Sequence, residues 1–169
     1  MVLNKSVEEA TVVCLMLAVQ EGHVPVGSRP LSAAMGVSDS YLKKTLRKLV
    51  VAGLVDSAPG KAGGFTLARR AEDITLGDVF RAMEGDAFRF KGSPTAEHVF
   101  SDCTNLPRAE QRLSGFLEEA GAAFLAELDS HPITELLRDG CWQEGTRNWP
   151  VQAQPPRLHD AVPAPQEPH

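Results

Sequence analysis

Between Ser38 and Arg70 seven cationic side chains, Lys43, Lys44, Arg47, Lys48, Lys61, Arg69 and Arg70, stand against two acids, Asp39 and Asp56. The whole chain is acidic, with a formal net charge of −5 over 169 residues. Ammonium and guanidinium groups gathered in this way neutralise phosphates, and a guanidinium can also bond two acceptors on one guanine edge. The spacing sharpens the reading. Ser40, Lys43, Lys44 and Arg47 share one helical face, opposite Leu42, Leu46, Leu49 and Val50. Tyr41 joins Ser40 in the first turn, where a recognition helix meets bases. Lys61 sits in the glycine-rich segment PGKAGG, and Arg69 and Arg70 follow it, placed for phosphate contacts. A lone charge run is more often a solvated helix face, but the adjoining glycine loop and the local excess of positive charge favour binding of a polyanion.

That excess is local. Residues 1–91 hold twelve Lys/Arg and ten Asp/Glu, whereas residues 92–169 hold five and twelve. The cationic footprint therefore belongs to the N-terminal part alone.

The elements that must carry these residues are legible from pattern. Ser6-Val7-Glu8-Glu9 fits a capping box ahead of a first helix that places Val7, Ala10, Cys14, Leu17 and Ala18 inward and ends near Gly22. Pro30 suits the first turn of a second helix that Gly36 ends. Ser38 or Asp39 caps a third, which Gly53 stops. LVDSA and GFTLA read as two strands joined by PGKAGG into a hairpin. Thr75 and Asp78 repeat the capping-box spacing before a fourth helix. Residues 85–105 show no sustained period and read as a loop. Asn105 or Leu106 then starts a long helix with Pro107 in its first turn, and PITELLRDG forms a short last one. Three short helices followed by a hairpin describe a winged helix-turn-helix, mainly α with a small β-hairpin, whose third helix enters the major groove.

The stretch from Val37 to Gly85 closely resembles the Rrf-two family of bacterial winged-helix transcription regulators. The matching features are Ser38 with Tyr41-Leu42, Leu49 with Ala52-Gly53-Leu54-Val55, Ser57 with Gly60, Gly63-Gly64 with Phe65, Leu67-Ala68, and Ile74-Thr75-Leu76. The resemblance covers about residues 1–140. It implies a homodimer on a partly palindromic double-stranded operator; repression is the expected mode of regulation, although the sequence does not fix its sign. The expected DNA-contacting set is Ser38, Ser40, Tyr41, Lys43, Lys44, Arg47, Lys48, Lys61, Gly63, Gly64, Arg69 and Arg70. The long helix of such proteins is their dimerisation element, and the wide stripe Leu113, Phe116, Leu117, Ala120 and Phe124 is compatible with that role.

Several members hold an iron–sulfur cluster on three closely spaced cysteines before that helix. Here the departure is plain: Cys103 is the single cysteine between Phe90 and Pro107. His98, Asp102 and a partner's Glu8 or Glu9 are the non-thiolate donors at hand, a poor set for a cluster that wants soft thiolates. No metal or cofactor is therefore expected. A thiol switch using Cys103, Cys141 or Cys14 is the preferred sensing mode, with Cys14 on a buried stripe. Its effector is unknown.

The expected organisation is a DNA-binding domain over 1–85, a sensor loop over 86–105, dimerisation and C-terminal helices over 106–140, and a disordered Pro-rich tail over 141–169. No apolar run is long enough for a membrane span, and the N-terminus reads as a helix, so a cytoplasmic location is expected. No phosphate-binding glycine loop or nucleophile elbow appears, which argues against an enzyme. Two alternatives stay open: a cluster-dependent sensor built on Cys103 and non-cysteine ligands, and a winged-helix protein-interaction module without DNA binding.

Overall fold

The first helix, α1 (Lys5–Ala18), starts on Asn4, whose side chain accepts a hydrogen bond from the Ser6 amide at 3.3 Å. The expected capping box at Ser6 does not form, because both of its members are engaged elsewhere. The Ser6 hydroxyl donates to Glu84 Oε1 at 3.0 Å, and Glu9 is taken up by Tyr41 and Lys5. The coordinates are a computed structural model, which describes residues 4–60, 63–85, 95–101, 104–138 and 145–149.

Helices α2 (Ser28–Met35) and α3 (Asp39–Val51) form the helix-turn-helix. Gly36 ends α2 in the left-handed region, at φ 67°, where a side chain is costly. Ser38 caps α3, its hydroxyl accepting from the Tyr41 amide at 3.3 Å. Leu42, Leu46 and Leu49 are fully buried against Ala10, Val13, Cys14 and Leu17 of α1.

Strands β1 (Val55–Ala58) and β2 (Gly64–Leu67) pair antiparallel, with Val55 opposite Leu67 and Ala58 opposite Gly64. Val26 adds a single-residue third rung, exchanging backbone hydrogen bonds with Phe65 at 2.9 and 3.0 Å. This rung explains Gly64, since a Cβ there would lie 2.7 Å from the Val26 backbone. Gly63 is similarly constrained by the Ala58 carbonyl, 2.2 Å from where its Cβ would stand. Both glycines therefore have a demonstrable backbone role in building the wing.

Thr75 and Asp78 make the expected reciprocal cap of α4 (Leu76–Glu84). A five-residue helix, α5 (Thr95–Val99), lies within the stretch read as loop; it is too short to show a period in sequence. The long helix α6 (Leu106–Asp129) starts after Asn105 with Pro107 in its first turn, as expected, and α7 (Glu135–Arg138) follows. The C-terminal end of α6 is fastened to α4. Phe80 and Phe124 meet edge to face with centroids 5.3 Å apart, and Arg81 forms a bidentate pair with Asp129.

One expectation is corrected. Composition predicts a disordered tail from residue 141, but residues 145–149 return to the core. Trp149 is 4% exposed; its ring Nε1 donates to the Met16 carbonyl at 2.7 Å, and its amide donates to buried Gln20 Oε1 at 3.1 Å. The amides of Gly145 and Arg147 donate to the carbonyls of Ala18 and Val19. The segment thus satisfies acceptors that the end of α1 leaves open, and one tryptophan supplies enough apolar surface to hold it.

Candidate nucleic-acid interface

The cations expected to contact DNA divide by what the fold does with them. Lys44 and Arg47 are exposed on α3 and have no hydrogen-bond or ion-pair partner among the described residues. Ser40 shares their exposed side of the helix. Lys43 pairs with Asp39 at 2.7 Å, one helical turn away. The Lys43 ammonium and the Ser28 hydroxyl together hold the Asp39 carboxyl below its ordinary range. Lys48 faces another way, donating from Nζ to the Met83 carbonyl in the last turn of α4 at 2.8 Å. A cation there also complements the negative end of that helix. Lys48→Ala is accordingly expected to lower stability by roughly 1–2 kcal/mol and to leave the salt dependence of DNA binding unchanged. Chemical denaturation and a salt titration separate the two effects.

Tyr41 bridges two elements. Its hydroxyl donates to Glu9 Oε2 of α1 at 2.5 Å, and Lys5 closes on the other oxygen at 3.2 Å. The hydrogen bond from Tyr41 is the leading reason that the Glu9 carboxyl stays below its ordinary range, and Glu9 in turn pushes the Tyr41 phenol up. The ring remains part-exposed, so its hydroxyl is anchored while its face borders the helix surface.

At the end of the wing Arg69 donates to Asp78 Oδ2 at 3.2 Å, and Arg70 pairs with Glu72. Both guanidiniums remain substantially exposed, so a phosphate would share or displace these acids. Lys61 lies outside the described residues. Sequence reasoning passed over Arg29, in the first turn of α2, which is exposed and close enough to Asp39 to favour its charged form. A cation at a helix N-terminus works against the helix dipole, and that unfavourable placement is the signal in the sequence that singles Arg29 out.

On α6 the stripe also divides. Leu113, Phe116 and Leu117 are 44%, 60% and 41% exposed, and Ala120 is exposed beside them. Phe124 instead packs on Phe80 of its own chain.

A family model described as Rrf2, iron-dependent transcriptional regulator, matches residues 3–139. The chain belongs to the Rrf2 family of transcriptional regulators. It is 38% identical over 125 residues to YwgB of Bacillus subtilis (strain 168), named as an HTH-type transcriptional regulator, covering 70% of this chain and 80% of that one. It is 32% identical over 126 residues to protein rrf2 of Nitratidesulfovibrio vulgaris, covering 74% and 79%. Among solved structures it is similar to T. potens IscR, with a TM-score of 0.56, 27% identity, and 82% and 88% coverage. CymR, the global cysteine regulator of B. subtilis, shares the fold at a TM-score of 0.56 and 21% identity, covering 80% of this chain and 95% of that one. The Rrf2 assignment makes this a DNA-binding transcriptional regulator with the expected winged-helix architecture. Among the described residues, no helix is long and apolar enough to cross a membrane.

The iron in the family's description can be tested against the donors of this chain. Residues 86–105 contain one cysteine, Cys103, and a cluster site of three loop thiolates cannot be assembled from it. Cys103, Cys141 and Asp102 lie outside the described residues. Cys14 is wholly buried, and burial pushes its thiol up to about 12, which removes it from both metal binding and thiol exchange at neutral pH. Glu9 is held by Tyr41 and Lys5. Among the described residues, no three His, Cys, Asp or Glu side chains come together as a metal site. This donor set does not fit a three-thiolate cluster.

Proposed function

We propose that the chain is a homodimeric, sequence-specific repressor that places residues 38–51 in the major groove and lays the wing, residues 54–69, on the flanking backbone. The observation that carries this reading is the pair of unpartnered cations on the exposed face of α3, Lys44 and Arg47, beside Ser40. A recognition helix needs open donors above the groove, and these two side chains have no competing acid among the described residues. Tyr41, fixed through Glu9, sets the height of the first turn. Lys43, Arg69, Arg70 and Lys61 add phosphate contacts, with Arg29 at the start of α2. Binding over a promoter would exclude polymerase sterically.

Dimerisation is assigned to the exposed stripe Leu113, Phe116, Leu117 and Ala120. The first three are large apolar side chains left in water on a helix about 36 Å long, and a second copy of the same stripe covers them by two-fold symmetry. Phe116→Glu is expected to weaken self-association by roughly thirtyfold or more, read by sedimentation velocity over a concentration series. An unchanged profile would remove α6 from the interface.

The signal is assigned to Cys103 and Cys141, because the buried Cys14 thiol is protected from oxidation. Peroxide is expected to weaken operator binding by the native protein and to leave a Cys103→Ser, Cys141→Ser variant unaffected. Equal loss in both would place the oxidative effect elsewhere.

The reading as a whole is tested by selecting bound fragments from random duplex DNA. It requires a recovered motif with two related halves. Recovery of unrelated sequences would favour the protein-interaction alternative.

A further inference from the structure

Behind the wing lies a cavity of about 320 Å³, between the end of α1, the turn after it and the inner side of β2. Leu17, Phe65 and Leu67 supply apolar wall, and His23, Arg69 and Arg70 supply basic groups. Among the described residues, no acidic side chain lines it. We propose that this cavity binds a small amphipathic carboxylate, its hydrocarbon body on the apolar wall and its carboxylate on Arg69 and Arg70, and that occupancy weakens DNA binding. The regulatory half rests on the DNA-binding reading above.

The volume is that of a small-molecule site. The chemistry of the lining selects the class. Apolar walls reward a hydrocarbon or aromatic body, and a rim holding two guanidiniums rewards a planar anion that can accept paired hydrogen bonds. Both arginines have acidic neighbours, Asp78 for Arg69 and Glu72 for Arg70. Each guanidinium carries five N–H donors, so it can turn toward a ligand carboxylate without leaving all of its other contacts. The turn that brings His23 to the cavity is unusual. Gly22 and His23 both have positive φ, 62° and 49°, and such backbone at a non-glycine residue clusters at ligand clamps.

Coupling to DNA follows from shared groups. The guanidiniums assigned to the DNA backbone are those that face the cavity, so a bound carboxylate and a phosphate compete for the same donors. Competition of this kind is reciprocal: whatever factor the ligand imposes on DNA affinity, DNA imposes on the ligand.

Phenylbutyrate is a suitable probe, with phenylbutanol as the uncharged control and sulfate as the anion without an apolar body. The full chain without DNA is titrated by amide NMR. Phenylbutyrate is expected to give saturable shifts at Val24, Phe65, Leu67 and Arg69, while phenylbutanol and sulfate bind roughly tenfold more weakly or worse. Val24→Glu, at an exposed position of the lining, and Arg70→Gln should each weaken phenylbutyrate by roughly tenfold. At constant ionic strength, saturating phenylbutyrate should then lower affinity for the selected duplex by roughly fivefold or more. Absence of saturable shifts, equal binding of the alcohol, or indifference to both variants would overturn the site. Binding of the probe with undiminished duplex affinity would overturn the coupling. A protein that binds the probe but no duplex would instead refute the DNA-binding reading and leave the cavity assignment standing.

Discussion

Replacing Lys44 and Arg47 together by alanine is expected to cut affinity for the selected duplex by about thirty- to a thousandfold at fixed salt, or roughly 2–4 kcal/mol. Both side chains project from the exposed face of α3 and neither has a partner to lose among the described residues. Stability should therefore hold while binding falls. The two residues should also separate. Arg47→Ala should relax the preference at one base position, because a guanidinium reads two acceptors of a guanine. Lys44→Ala should weaken all duplexes alike and reduce the salt slope by about 1, the signature of one lost phosphate contact. A double variant that binds as tightly as the native chain would mean that α3 does not enter the groove.

The largest expected effect on stability comes from the other end of the chain. Trp149→Ala should destabilise the protein by roughly 3–5 kcal/mol, as for other buried aromatic truncations. For a chain of this size, that is a fall of roughly 6–20 °C in the unfolding midpoint. The reason is twofold. The ring occupies the core, and its Nε1 satisfies the Met16 carbonyl. Trp149→Phe keeps most of the apolar area and strands only the carbonyl, so it should cost roughly 1–3 kcal/mol. Calorimetry on both variants orders them. Equal stability of all three proteins would show that residues 145–149 do not belong to the fold.

Much of the architecture was written in local signals. The Ser38 cap, the Leu42–Leu46–Leu49 stripe, the Thr75–Asp78 capping box and the Asn105–Pro107 start of α6 are short-range patterns, and the structure contains each of them. What escaped was set by contacts distant in sequence. The rung at Val26 is one residue long and has no period. Ser6 and Glu9 have capping-box spacing, but Glu84 and Tyr41 claim them. Trp149 was hidden by the Pro- and Gln-rich composition around it, since an average over a segment says nothing of one large side chain. The candidate interface was legible as charge but not as availability. That Lys48 reaches Met83 while Lys44 and Arg47 reach no partner among the described residues depends on where α4 lies against α3, and no spacing within α3 could reveal it.

Sequence-specific binding by α3 is the central claim. It is tested most directly by titrating the native protein with the selected duplex and with a scrambled duplex of the same composition, across a series of salt concentrations. The account predicts a ratio of about a thousandfold or more in favour of the selected duplex at physiological salt, with both affinities falling linearly in log–log form as salt rises. Two duplexes bound within a few-fold of each other, or no binding at low salt, would contradict it.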